Sequence, residues 1–232
     1  MRRNLIDEQT MNTHEFLFAD VTLVARASGA LYWPDQQLLV ISDLHLGKSE
    51  RIARLGGAML PPYETTDTLA RLDGEITACD PKTVICLGDS FDDLHASTGL
   101  AEDVLRWLSR LMAGRRWIWI EGNHDPGPVA LAGSHLAEIT VGALAFRHIA
   151  QTNGTGEISG HFHPKAALRT RGRTVSRPCF LYDSDRVILP AFGTYTGGLR
   201  SSSPVLLALM RQNAMAVLTG KTAHAIPMPR AG

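Results

Sequence analysis

The sequence has no excess of charge and few cysteines, and both absences narrow the classes of protein to which it can belong. Its 232 residues carry 23 basic and 23 acidic side chains, so the formal net charge is zero. This balance gives no overall attraction to nucleic acid or to an anionic membrane, so binding of a polyanion must depend on a local patch. The three cysteines are odd in number and form no C-x-x-C pair, so neither a disulfide framework nor a thiolate zinc site is indicated.

Long apolar runs, internal repeats and low-complexity segments are lacking as well. The longest apolar run, residues 205–210, is too short to span a bilayer, and the first residues are polar. We therefore expect no membrane segment and no signal peptide, and we predict a reduced, cytoplasmic protein. Length and an apolar fraction of 44% predict a single domain over residues 15–220. Residues 1–14 and 221–232 are predicted to be flexible tails.

In the first half, predicted strands alternate with predicted helices. Apolar runs at 38–41, 83–87 and 117–120 indicate short buried strands. Apolar residues at helical spacing within 65–79 and 100–112 indicate the helices between them. This alternation implies parallel strands joined by crossovers.

The second half changes to shorter predicted strands. They lie at residues 139–141, 144–146, 157–159, 179–182, 187–189, 205–210 and 214–218. We expect a mostly β meander that packs against the first sheet. The predicted fold is therefore an α/β sandwich of two sheets with helices outside, in the layer order αββα.

Candidate metal ligands follow the predicted strands. Asp43 and His45 come after the first strand, Asp89 after the second and Asn123 after the third. Carboxyl ends of parallel strands meet at one edge of a sheet, where sites form. A lone His148 and the pair His161 and His163 follow later strands.

These residues divide into two ligand sets. One set is Asp43, His45, Asp89 and His163, and the other is Asn123, His148, His161 and the shared Asp89. A bridging carboxylate would hold two cations about 3.5–4 Å apart, the spacing used for displacement at phosphorus. Nitrogen and oxygen donors without thiolate suit manganese, iron, zinc or cobalt. Taken singly, each motif has an ordinary structural interpretation, a capped turn or a core histidine.

The order of these motifs resembles the calcineurin-like metallophosphoesterase superfamily. Longer strings are similar to one branch of it, the ligase-associated DNA-damage-response endonuclease family (PdeM). They are DLHLGK at 43–48, LPPY at 60–63, GDSF at 88–91, GEISGHFHP at 156–164 and LPAFGTYTGGL at 189–199. The resemblance covers about residues 40–199. It implies a two-sheet fold of that superfamily and a manganese-favouring phosphodiesterase whose substrate could be DNA, acting beside a DNA ligase and helicase in repair.

The chemistry expected of such a site is hydrolysis of a phosphodiester by in-line attack of a hydroxide shared by two divalent cations. His124 is the candidate donor of a proton to the leaving oxygen, and otherwise only bonds within its loop. In the wider superfamily, the carboxylate at the position of Asp92 orients that histidine. The branch more often has histidine there, so the leaving-group preference is left open.

Basic residues near the motifs are candidates for substrate contacts. They are Lys48, Arg51, Lys165, Arg171 and Arg173, the last three within a stretch from 164 to 182 that also holds Arg169 and Arg177 and has no acidic residue. These cations could follow a phosphate backbone, or they could lie on a solvated hairpin.

Two other functions stay open. A phosphomonoesterase or a cyclic-nucleotide phosphodiesterase could share this architecture, although protein phosphatases usually carry Arg and Glu where this chain has Asp93 and Asp125. A scaffold without catalysis is the second alternative, but such a protein would have lost ligands. The number of subunits is left open, with a homo-oligomer allowed.

Overall fold

The computed structural model of the chain describes residues 12–54, 63–93, 99–127, 131–170 and 172–231. The predicted N-terminal tail lies largely outside these ranges, and its last two residues, Thr13 and His14, already belong to a strand.

The first sheet has seven strands in the order of the chain. They are β1 (Thr13–Phe18), β2 (Val21–Arg26), β3 (Leu31–Trp33), β4 (Leu38–Ile41), β5 (Thr83–Leu87), β6 (Arg116–Ile120) and β7 (Ser134–Leu136). The pairs β1–β2, β2–β3 and β3–β4 are antiparallel, whereas the pairs β4–β5, β5–β6 and β6–β7 are parallel. The parallel strands predicted from the alternating pattern are confirmed.

The second sheet contains the remaining strands. They are β8 (Glu138–Val141), β9 (Leu144–Arg147), β10 (Glu157–Ser159), β11 (Lys165–Thr170), β12 (Arg173–Tyr182), β13 (Arg186–Ile188), β14 (Met215–Leu218) and β15 (His224–Pro227). Their order is β15-β14-β12-β13-β10-β9-β8, and β11 pairs with β12. The predicted meander is wrong, because β10 lies parallel between β9 and β13. The chain leaves the sheet after β10, forms the β11–β12 hairpin, and then returns.

Four helices cover the sheets in the part of the chain that is described. They are α1 (Lys48–Arg54), α2 (Glu64–Cys79), α3 (Glu102–Met112) and α4 (Pro204–Leu209). Successive residues of a strand face opposite sides, so β4 sends Leu39 towards α2 and α3 and Leu38 towards the second sheet. On the outer face of the second sheet, Leu181 and Ile188 pack with Leu206 of α4. The predicted αββα order of layers is confirmed.

Two predicted elements near the C-terminus are corrected. Residues 204–209 form helix α4 rather than a strand, because Pro204 can begin a helix and Leu206 is then buried in the outer core. The predicted tail from residue 221 is wrong over β15, which pairs with β14, and Met228 is buried.

None of the described helices combines the length and the apolarity needed to cross a lipid bilayer.

We predict that Phe146→Ala lowers the free energy of unfolding by about 3–5 kcal/mol, because this ring fills the space between the two sheets. Urea titration followed by circular dichroism measures the change. Leu17→Ala is the matched control, since Leu17 is 70% exposed and should change stability by about 0.5 kcal/mol or less. An equal loss in both variants would contradict the assigned core.

Candidate metal centre

The predicted ligands lie where five strands end. Asp43 and His45 follow β4, Asp89 follows β5, and Asn123 follows β6. The ligands from the second sheet come from its parallel strands, with His148 directly after β9 and the pair His161 and His163 after β10. Both sheets therefore direct the carboxyl ends of parallel strands to a common edge.

Three members of the first predicted set, Asp43, His45 and His163, are brought together, whereas the fourth, Asp89, groups with His148 and His161. Oδ1 of Asp43 lies 3.0 Å from Nε2 of His163. Each of Asp43, His45 and His163 offers one atom that could ligate a metal, and these three atoms lie within 4.8 Å of one another. Burial raises the pKa of Asp43, but the close contact with the His163 ring and its charge outweigh burial and hold the pKa below its usual value. Asp43 is therefore an anion at neutral pH.

The second predicted set converges on Nε2 of His148. That nitrogen lies 3.0 Å from Oδ1 of Asn123, 3.2 Å from Nδ1 of His161 and 3.4 Å from Oδ2 of Asp89. The other ring nitrogen of His148 donates to the carbonyl of Leu87 at 2.8 Å. A carbonyl only accepts, so this bond fixes the tautomer that leaves Nε2 with a free lone pair, as metal-binding histidines require.

Several atoms that could ligate a metal at this edge are buried and have no hydrogen-bond partner in the described structure. They are Oδ1 of Asp43, Nε2 of His45 and Nε2 of His163. The contact between Asp43 and His163 is short but lacks hydrogen-bond geometry, as expected for two ligands that point at one cation. Asp43 is fully buried and His45 is 5% exposed, so an uncompensated carboxylate and imidazole here would be costly. These residues fit a site for divalent cations.

The backbone at these positions is in the left-handed region, which non-glycine residues rarely adopt. The φ angles are 52° at Asp43, 47° at His45, 45° at Asp89, 70° at His161 and 45° at His163. Each such conformation costs about 1–3 kcal/mol and persists only where the surroundings impose it. These conformations lower the stability of the fold, but they turn the ligand side chains towards one point.

Asp92 is placed differently from the prediction. Nδ1 of His124 lies 3.0 Å from the backbone carbonyl of Asp92, so the carbonyl rather than the carboxylate orients His124. The carboxylate lies 3.0 Å from Nδ1 of His45 and accepts a hydrogen bond of 2.8 Å from Arg51. Burial raises the pKa of Asp92, but these two contacts outweigh it and lower the pKa to about 2.

Asp125 is the residue that sequence reasoning missed. Its buried carboxylate accepts hydrogen bonds from the backbone N–H groups of Asp89, Ser90, Phe91 and Gly122, at 2.8 to 3.2 Å. It thereby ties the loop after β5 to the loop after β6. Burial, together with the charge of Asp89, raises its pKa above the usual value. The available signal was a carboxylate three residues after Gly122, within reach of the neighbouring strand end.

The candidate substrate cations are scattered. Arg51 already pairs with Asp92 and lies 3.8 Å from Asp93, and the charge of Lys48 helps to lower the pKa of Asp92. Lys165, at the base of the β11–β12 hairpin, donates to the carbonyl of Thr196 at 3.3 Å. Arg173 is exposed at the far end of that hairpin, about 17 Å along the strand. Arg171 lies outside the described residues, as do 60–62 of the LPPY string.

Comparison with known families decides the classification. The profile of the calcineurin-like phosphoesterase family matches residues 37–177, more than half of the chain. The chain belongs to the calcineurin-like phosphoesterase family. It is therefore a metal-dependent phosphoesterase, and the superfamily suggested by the sequence motifs is confirmed.

Solved structures give a second comparison. The crystal structure of the Pseudomonas putida nuclease MPE has 30% sequence identity and a TM-score of 0.72, and the match covers 91% of this chain and 98% of that one. The E. coli phosphoesterase Yfce matches at 10% identity with a TM-score of 0.38, over 83% of this chain and 99% of its own. The latter score is too low to support an argument. A comparison with curated proteins found no match.

We predict that Asp125→Asn lowers the free energy of unfolding by about 2–4 kcal/mol. The amide NH2 group would face backbone N–H groups that now donate to a carboxylate, leaving buried donors without acceptors. Chemical denaturation of the metal-free protein measures the loss. Asp35→Asn, at an exposed position in a short 3-10 turn, is the control and should be neutral. Equal stability of the two variants would contradict this role of Asp125.

We also predict that metal binding weakens as the pH falls. Burial lowers the pKa of His148, but Asp89 and Asp43 outweigh burial and raise it above the usual 6.5. Below that raised pKa a proton competes with the cation for Nε2, so affinity should fall by up to about tenfold per pH unit. Calorimetric titration with Mn²⁺ in buffers of different ionisation enthalpy measures the proton released. Constant affinity between pH 8 and pH 6, without proton release, would exclude this competition.

Proposed function

We propose that this phosphoesterase is a dinuclear phosphodiesterase that cuts nucleic acid, with DNA as the substrate. One observation carries the proposal. Asn123, His161 and Asp89 converge on Nε2 of His148, beside the first set of ligands around Asp43. Two adjacent clusters of nitrogen and oxygen donors, in which Asp43, His45, Asp89 and His148 are buried, suit two divalent cations.

The proposed ligands divide as the sequence suggested. Asp43, His45 and His163 would hold one cation, and Asn123, His148 and His161 would hold the other. Asp89 is proposed as the bridging carboxylate. Burial raises its pKa, but the nearby His148 ring and the hydrogen bond from the backbone N–H of His124 outweigh burial and lower the pKa to about 2, so Asp89 is an anion at neutral pH.

Manganese is the proposed metal, with iron, zinc or cobalt as alternatives. The donor set has carboxylate, amide and imidazole groups and no thiolate among the described residues of either cluster. Such harder ligands disfavour soft copper(I) and are compatible with these ions.

The bound cations would neutralise the phosphate oxygens and lower the pKa of a coordinated water towards neutrality. His124 would protonate the leaving oxygen. Its Nδ1 is held by the carbonyl of Asp92, which can only accept, so Nε2 is the nitrogen that faces away from this bond. Nε2 carries a hydrogen only in the protonated ring, and the imidazolium is therefore the acid form. The Asp92 carboxylate would take no direct part in this step, because it lies 3.0 Å from Nδ1 of His45 and orients that ring.

Nucleic acid is proposed because the chain is 30% identical, over 91% of its length, to a protein that is described as a nuclease. A role in DNA repair beside a ligase and a helicase rests on the motifs shared with the DNA-damage-response branch and stays a prediction. The same holds for the cytoplasmic location and for the number of subunits.

A substrate panel tests the function. Metal-reconstituted enzyme is offered a bis-aryl phosphodiester, an aryl phosphomonoester, a cyclic nucleotide, and single-stranded and duplex DNA. We expect hydrolysis of the bis-aryl diester and of DNA to exceed that of the monoester. Preference for the monoester, or for the cyclic nucleotide over DNA, would replace the proposal by the corresponding phosphatase or cyclic-nucleotide phosphodiesterase.

We predict that Asp89→Asn lowers the rate of diester hydrolysis at least about 100-fold, because it removes the charge proposed to bridge the cations. Circular dichroism and urea titration check that the variant folds. Asp35→Asn serves again as the exposed control and should keep full activity. Full activity of a folded Asp89→Asn variant would show that the bridging carboxylate has been assigned wrongly.

A further inference from the structure

One loop beside the metal centre holds an exposed aromatic side chain in an unusual conformation. Tyr195 is 45% exposed, and its φ of 59° lies in the left-handed region. An L-residue with a large side chain adopts this region at a cost of about 1–3 kcal/mol, and such positions cluster at ligand sites. Neither burial of the ring nor a regular turn residue accounts for tyrosine here.

The loop is attached at both ends to the backbone of the metal-binding loops. At its start, Gly193 donates its N–H to the carbonyl of Asp43 at 3.0 Å. At its end, Leu199 donates to the carbonyl of Phe162 at 3.1 Å, between His161 and His163. Tyr195 lies in the middle of this span, only two residues from Gly193.

Two glycines make this close attachment feasible. A Cβ atom on Gly193 would lie 2.2 Å from the carbonyl oxygen of Leu44, and one on Gly198 would lie 2.1 Å from that of His163. Both contacts are with backbone that cannot move aside. The loop therefore packs directly against the main chain that presents Asp43 and His163, which fixes the position of Tyr195 relative to them.

Tyr195 lines a cavity of about 500 Å³ that opens on the same edge of the sheets. Its walls include Ala27 and Ser28, which precede β3, and β3 begins opposite the end of β4. The volume lies within the range of cavities that hold small molecules.

Of the three charged side chains that line the cavity, one arginine is free to contact a phosphate. Arg71 lies 3.5 Å from Asp67 and 4.7 Å from the centre of the Phe192 ring, and it donates to the carbonyl of Phe192. Arg71 and Asp67 therefore neutralise each other and brace the loop. The third charged side chain, Arg177, is exposed and has no carboxylate partner within the described part of the chain.

We propose that Tyr195 and Arg177 form a nucleotide subsite next to the metal centre, in which the tyrosine ring stacks on one base and the guanidinium contacts the adjoining phosphate. Stacking on an aromatic ring is sequence-tolerant, because every base has a π-face. The subsite deepens the proposed function, on which it rests: the cations act on one phosphate, and this cavity holds a neighbouring nucleotide of the same strand.

The first test compares variants on a short single-stranded oligodeoxynucleotide. Tyr195→Ala should raise KM about tenfold with little change in kcat, and Tyr195→Phe should stay within about twofold, since the ring is kept. Arg177→Gln should raise KM by about fivefold and make its salt dependence shallower. Arg106→Gln, an exposed arginine on α3, is the matched control. Equal losses in the Ala and Phe variants, or no loss in either, would overturn the subsite.

The second test does not require cleavage of nucleic acid. Adenosine 5′-monophosphate and ribose 5-phosphate are compared as inhibitors of bis-aryl phosphodiester hydrolysis, since they share the phosphate and differ in the base. The nucleotide should bind about tenfold more tightly to the wild-type enzyme, and this ratio should fall towards one in Tyr195→Ala. A ratio near one in the wild type, or a ratio unchanged in the variant, would overturn the inference. Failure to cut DNA with the ratio intact would instead contradict only the proposed function.

Discussion

The structure depends on the electrostatics of a crowded, buried edge. Carboxylates and imidazoles from both sheets approach each other within 3.0 to 3.4 Å, and several of their polar atoms lack hydrogen-bond partners in the described structure. Carboxylate oxygens and the lone pairs of neutral imidazole nitrogens repel each other at these distances unless a cation lies between them, because burial removes the water that would otherwise solvate them. The low pKa values of Asp89 and Asp92 keep the cluster anionic across the neutral range, which is what divalent ions need. A cation bound here would therefore also stabilise the folded protein.

Hydrogen bonds from side chains to the main chain hold the loops at that edge. Asp125 gathers four backbone N–H groups from two loops, and the carbonyl of Leu87 fixes the ring of His148. These contacts compensate for the left-handed backbone at the ligand positions, which local preference alone would not select. The strand ends, which the sandwich core keeps rigid, therefore set where the ligand residues lie. The loop conformations set the direction in which their side chains point.

Much of this arrangement could be predicted because strand ends and ligand chemistry are local signals. The runs ending at Ile41, Leu87 and Ile120 were each followed by donors, and parallel strands must bring such ends together. The pairing of β10 with β9 and β13 could not be predicted, since it depends on which edges meet after the hairpin. Helix α4 was mistaken for a strand because a short apolar run fits both periods, although Pro204 was a helix-start signal. The contact of His124 with a carbonyl instead of a carboxylate depends on a turn geometry that no spacing encodes.

The left-handed backbone links the two parts of the site that sequence reasoning treated separately. Asp43 and His163 share this conformation with Tyr195, and the Tyr195 loop bonds to the backbone of both metal-binding loops. A loop that only closed the end of a sheet would not need a strained residue with an exposed ring. A loop that presents a flat surface to a base near a reacting phosphate would need both the strained residue and the exposed ring. The backbone hydrogen bonds of the loop fix its distance from the metal-binding loops, and the ring provides the surface. In the proposed subsite this loop contributes to substrate selection, while the ligands at the strand ends carry the chemistry.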